Sequence, residues 1–385
     1  MSKRWIPGSA AALAIGVLLL AIGLALEPRR ALFSWLVAWL FVVTTATGSL
    51  VLLMVTHAAR ARWFAVVRRL AEVAASALPV LLLLAAPIFL GVGELYRWAA
   101  PLDGLGAEER ELIVHKRPWL DEPLFVARAI FFLGSWSIAA WLLGRWSLAQ
   151  DRTGSAALQI RMQRFSSGML PFMALSVTFA SFDWAMSLQP SWLSTVFGIY
   201  FLVGGFVAAL ALLCAAAIVA GRRPLDEVIS TAHRHALGKL LFAAVVFWAY
   251  IAFVQFLLQW ITDMPREVEF WLHRTEGGWR TVTLLLVAAH FVVPFFFLLP
   301  RRTKRRPLPL AAAAAWLLAA HWLDLYWLVM PALSPHGPMP HWLDLAALLA
   351  TCGATSLFVA LRWRNRPLLA TGDVHFEQAL RYRGS

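Results

Sequence analysis

Charge is scarce in this sequence. Asp, Glu, Lys and Arg together make up 14% of 385 residues, against roughly 25% in soluble domains. Acids are scarcer than bases, at 21 against 34. Cysteine is nearly absent: Cys214 and Cys352 lie singly in apolar stretches. With no CxxC or CxxCH, the sequence offers no cysteine-ligated iron–sulfur cluster and no covalent haem attachment. The electrons of any redox system it serves are therefore carried by a partner. Low-complexity linkers are missing too. What fills the chain is apolar: 61% of residues are hydrophobic and the mean hydropathy is +0.69. That is more apolar surface than a soluble core hides, so lipid must cover much of it. The net charge of +13 belongs with basic residues at helix ends, and no nucleic-acid partner is implied.

A hydrocarbon core of about 30 Å takes about 20 apolar residues per helix. Ten such stretches are expected in an all-α integral membrane fold. They run about Gly8–Leu26, Leu32–Thr56, Leu70–Val92, Leu124–Trp146, Gly168–Leu188, Trp192–Ala220, Leu237–Thr262, Trp279–Leu299, Leu308–Met330 and Trp342–Leu361. Residues 1–361 form the membrane domain and 362–385 a cytoplasmic tail. The first stretch lacks a convincing cleavage site before Glu27-Pro28 and reads as a retained helix, not a signal peptide. With the N-terminus inside, the inside segments collect 24 of the 34 Lys and Arg, among them Lys3, Arg4, Arg222, Arg223 and the run Arg301–Arg306. The positive-inside rule then puts both termini in the cytoplasm. Trp5, Trp98, Trp119, Trp146, Trp192, Trp279 and Trp342 fall near span ends, as an interfacial belt would.

Ionisable groups at membrane depth are costly and therefore functional candidates. Asp183 lies in the outer third of the fifth span, His290 near the middle of the eighth and His321 near the middle of the ninth. Asp324 stands one turn beyond His321 on the same face. Gln255, Gln259 and Tyr326 are weaker candidates. Glu94, Asp263 and Asp344 read as ordinary helix-end charges, Asp344 complementing a helix N-terminus, and His57 and Lys239 as snorkelling groups. The pentapeptide His-Trp-Leu-Asp-Leu occurs twice, at His321 and His341. Two chemistries use such a set: a water-bridged proton path, or a quinone pocket with an imidazole or carboxylate against an aromatic wall. Phe253, Phe256, Trp260, Tyr326 and Trp327 are the wall candidates. No catalytic residue and no metal ligand is assigned.

The segments SVTFASFDWAMSLQPSWLSTVFGIYFLVGG at Ser176–Gly205 and HALGKLLFAAVVFWAYIAFVQFLLQWITDMPREVEFWLH at His235–His273, with His290–Pro294 and His321–Pro331, carry a resemblance. They resemble the F subunit of bacterial alternative complex III, the second quinone-binding subunit of quinol:cytochrome c oxidoreductase, which is related to the NrfD and polysulfide-reductase membrane subunits. The resemblance implies ten helices with two four-helix bundles, in an accessory subunit of the respiratory chain in the bacterial inner membrane. It implies a paralogous NrfD-like subunit, iron–sulfur and multihaem cytochrome c subunits and a terminal oxidase as partners, and menaquinol or ubiquinol and lipids as ligands. Asp183, His290, His321 and Asp324 would serve a proton half-channel or a second quinone pocket. Two other readings stand beside it. A secondary transporter would show broken helices and an internal repeat, with Gly91–Gly93 and Gly204-Gly205 the nearest approach to breaks. A structural anchor would use His321 and Asp324 only as packing clamps.

Overall fold

The computed structural model describes residues 5–103, 106–219 and 225–384. Ten of its helices are long and apolar enough to cross a membrane. They are Trp5–Leu26, Pro28–Ala58, Arg68–Leu90, Glu122–Thr153, Ala156–Leu188, Phe197–Ile218, Thr231–Thr262, Gly277–Leu298, Pro307–Ala332 and Trp342–Arg362. Each expected stretch has its helix, because backbone groups in hydrocarbon must be satisfied within their own segment. The chain is a multi-pass, all-α membrane protein. Lys3, Arg4, Arg222 and Arg223 lie outside the described residues.

The second span is the axis of the molecule, with 94% of its most apolar window buried. Spans two to five pack as one ring of four helices and spans six to nine as another, joined where the second span meets the sixth. That contact is close because Gly48 faces the Gly205 backbone and Gly205 faces the Thr44 backbone, and a Cβ on either would collide. Small residues at such crossings let helices approach without a penalty. Gly204-Gly205 is thus no helix break: Phe197–Val219 is continuous.

The first and tenth spans pack as a pair against the second. Gly16 meets the Ala350 backbone and Gly353 the Leu13 backbone, so the two run antiparallel. Both ends of the described chain consequently emerge on one face, called the terminal face below.

The third span is segmented into Arg68–Ala75, Leu78–Leu84 and Ala86–Leu90. Pro79 and Pro87 each stand in the first turn of the segment they open, where a missing N–H costs least. The eighth span contains a π-helical turn at Ala288–Val292, just before Pro294.

Several polar expectations change on the terminal face and in the helix ends. His57 does not snorkel; it is buried. Lys239 is exposed as expected. Arg68 is buried against Glu72, Asp373 and the Ser147 hydroxyl, and Arg69 against Glu72 and Asp151. Gly372 N–H donates to Asp151, so the segment after the tenth span folds back onto this charge cluster instead of hanging free. Asp344 is not a solvated end: it is buried, 2.6 Å from Arg30, and accepts from Ser34 at 2.7 Å and from the His341 N–H at 3.1 Å. The last bond keeps the helix-cap role expected of it. Asp263 is an exposed, left-handed helix cap, φ 46°. The tryptophan belt is also divided. Trp5, Trp119 and Trp342 are exposed, whereas Trp98, Trp192 and Trp279 are core residues.

Candidate functional site

Both rings have buried centres of different chemistry. The first is filled by indoles: Trp184 stands edge-on to Trp39 and Trp136, Trp39 donates to the Leu81 carbonyl and Trp136 to Ser176, both at 2.9 Å. The second ring holds ionisable groups. Its four helices contribute Tyr200 and Gly204, Trp248, His290, and His321 with Asp324, and Thr44 enters from the second span at the junction of the rings. All of these polar members are buried, with His290 0% and Asp324 2% exposed.

The geometry fixes which atoms are free. Tyr200 O–H donates to Asp324 Oδ1, the Trp248 indole N–H also approaches the carboxylate, and Oδ2 lies on the side of Gly204. Thr44 Oγ1 donates its single proton to the Leu40 carbonyl at 2.7 Å and lies 2.9 Å from His321 Nε2. When its proton is spent there, the hydroxyl accepts from His321, and in that tautomer Nε2 carries the ring hydrogen and Nδ1 keeps a bare lone pair. Nδ1 has no hydrogen-bond partner, and neither nitrogen of His290 has one. The His290 ring stacks on Trp248 at 3.8 Å and stands 6.5 Å from the His321 ring, centre to centre. Its place in the π turn matters here, because the extra residue in that turn shifts the helical register at the site. One ligand atom from each of His290, His321 and Asp324 can be chosen so that all lie within 4.8 Å of one another.

The two sides of this cluster differ. Toward the terminal face the second ring is closed by Leu210, Leu213, Leu241, Val245, Leu310 and Leu317, all fully buried. The second span likewise runs apolar from Leu50 to Met54 before reaching His57. Toward the opposite face lies a cavity of about 1180 Å³ lined by Trp192, Phe197, Phe270, Arg274 and Leu328 and rimmed by Glu94, Glu108, Glu109 and Arg266. Arg274 lies within electrostatic reach of Tyr200. Its guanidinium covers the Phe270 ring at 3.5 Å and donates to the Phe270 and Leu328 carbonyls, both at 3.1 Å. No carboxylate among the described residues pairs with it, and burial draws its pKa down.

Of the expected site residues, His290, His321 and Asp324 come together. Gln255 is buried two turns beyond Trp248 on the same helix face, its Oε1 unpartnered. Gln259 is a clamp, Oε1 accepting from Trp192 at 3.2 Å and Trp271 at 2.5 Å. Asp183 stands apart in the first ring, bonded to Arg128 at 2.7 and 2.9 Å and to Trp119 at 2.9 Å. Tyr326 turns away from Asp324 and packs on Trp322 and Trp279. Phe253, Phe256 and Trp260 stand on the outer surface of the bundle. Sequence reasoning missed Tyr200, Thr44, Gly204 and Arg274. Tyr200 and Gly204 lie inside the quoted Ser176–Gly205 segment, which was the available signal; Thr44 and Arg274 had none. No protein-family model matches the chain, and neither does any curated protein.

Proposed function

We propose that this chain is an accessory membrane subunit of a quinol-oxidising complex of the alternative complex III type, and that it contributes a proton half-channel opening on the face opposite its termini. The observation that carries the half-channel is the asymmetry around Asp324. A buried carboxylate, two imidazoles and a phenol lie between an open cavity, which reaches Phe197 and Arg274 on one side of them, and a sealed apolar layer on the other.

The chemistry follows from the free atoms. Asp324 Oδ2 and the bare His321 Nδ1 are proton acceptors a turn apart on one helix, and Tyr200, bonded to Oδ1, gives its proton up there only as its oxygen takes another from water on the cavity side. A proton on Asp324 therefore has a neighbour to receive it in either direction. Arg274, at the cavity floor, is a fixed positive charge between that cavity and Tyr200, a barrier to uncontrolled proton entry. The excess of basic residues on the terminal side argues that this side is cytoplasmic. The cavity would then open where quinol oxidation releases protons. The quoted segment resemblances supply the assembly: a paralogous membrane subunit and iron–sulfur and multihaem partners in a bacterial inner membrane. The lack of cysteine ligands in the sequence agrees with electrons travelling in those partners.

The test is made in the assembled complex reconstituted into vesicles. His321→Gln and Asp324→Asn should each slow quinol-driven proton release at least about tenfold while haem content stays constant. Unaltered turnover and unaltered pH change on both sides, with the complex intact, would sink the half-channel. Purification of the native protein without haem-bearing partners would sink the assembly.

A further inference from the structure

We propose that His290, His321 and Asp324 form a binding site for a divalent transition-metal ion of the zinc and cobalt class. Two imidazoles and one carboxylate suit that class, whereas the oxygen-only sets favoured by calcium and magnesium do not occur here. Their ligand atoms lie within 4.8 Å of one another. A tetrahedral ion with bonds of about 2.0–2.2 Å asks these side chains to close by roughly an ångström.

What distinguishes the cluster from a chance grouping is the shell behind it. Metal-bound histidines commonly give their second ring N–H to a fixed acceptor, which orients the ring and sets the tautomer. Thr44 is that acceptor for His321, and it leaves Nδ1 bare. Tyr200 does the equivalent for Asp324, occupying Oδ1 and leaving Oδ2. The free atoms converge beside a residue without a side chain: a Cβ at Gly204 would lie 3.4 Å from His321 Nδ1 and 3.6 Å from Asp324 Oδ2. His290, stacked on Trp248, offers two buried nitrogens with no hydrogen-bond partner at all. Buried polar atoms are rarely left so, and an ion satisfies three donors at once. The fourth position would fall to water from the side of the cavity.

Binding stands independently of the proton path, but its consequence rests on that reading. An ion on Nδ1 and Oδ2 occupies the lone pairs the relay needs, so zinc would act as a blocker. The experiment therefore reads the metal and not turnover. The full chain, without a histidine tag and stripped with chelator, is titrated with Co²⁺ and followed by its visible ligand-field absorption. Saturation at one ion per chain is expected, displaced by Zn²⁺. His321→Gln should abolish the spectrum. Thr44→Val, which keeps all three ligands, should weaken binding about 10–100-fold. Absence of saturable cobalt binding overturns the proposal, as does an unchanged spectrum in His321→Gln. If that variant does not fold, an unchanged affinity in Thr44→Val overturns it.

Discussion

Glu72, Asp183, Asp344 and Asp373 are buried, and each faces an arginine. Asp324 is as deeply buried and faces a tyrosine hydroxyl, the Trp248 indole, two imidazoles and, among the described residues, no cation. The contrast separates arginine-paired carboxyls from the unpaired one that the proposed proton path needs. An ion pair inside the membrane holds its carboxylate ionised and fixed, and removing one partner strands the other charge. Arg128→Ala should therefore destabilise the protein by about 3–5 kcal/mol, because Asp183 would keep only the Trp119 bond, although the cation–π contact of Arg128 over Trp119 is lost with it. Thermal unfolding in detergent checks this; a melting temperature equal to wild type would show that Asp183 is not locked. From sequence depth alone Asp183 and Asp324 look alike, since both are acids in the outer part of an apolar span. Their difference lies in Arg128, Trp119 and Tyr200, which reach them across helices and leave no spacing signal.

At the scale of helices, apolar run length was enough to place all ten spans, because hydrocarbon allows little else. Interiors were harder. Tryptophan suits both an interface and a core, so Trp192, stacked on Phe270 at 3.8 Å, is indistinguishable in sequence from the exposed Trp342. The π turn at His290 was likewise illegible, as one extra residue in a helix leaves the apolar run unbroken. Gly205 had a plain signal, adjacent glycines, but its meaning is packing, not breakage. Gly205→Val should force the second and sixth spans apart where Gly205 meets the Thr44 backbone. Overpacking of this kind costs about 1–3 kcal/mol, and it would also move Thr44 from His321. A lowered melting temperature is expected; a variant as stable as wild type would show that the rings do not need this approach.

Across the whole molecule, the two rings divide the work. One is an aromatic core with arginine-locked acids, the other a buried polar centre with a cavity on the side opposite the termini. The chain after the tenth span packs mainly on the first, and touches the second only at its terminal end, where His233 meets the Ala379 carbonyl. It brings Asp373 to Arg68 and Gly372 to Asp151, and Trp363 to Ser76 at 2.8 Å. A truncation after Arg366 should leave Arg68 with Glu72 as its one acidic partner and lower thermal stability, without altering the metal or proton behaviour of the buried centre of the second ring. Equal stability of the truncated chain would show the tail to be a passenger. The proposed half-channel requires that Asp324 be the buried carboxyl free to exchange its proton. Infrared difference spectroscopy on membranes, stepped in pH and repeated in deuterium oxide, reads this directly. A deuterium-sensitive carboxyl band that vanishes in Asp324→Asn and persists in Asp183→Asn is predicted. A band unaffected by Asp324→Asn, or no such band in the wild-type protein, would contradict it.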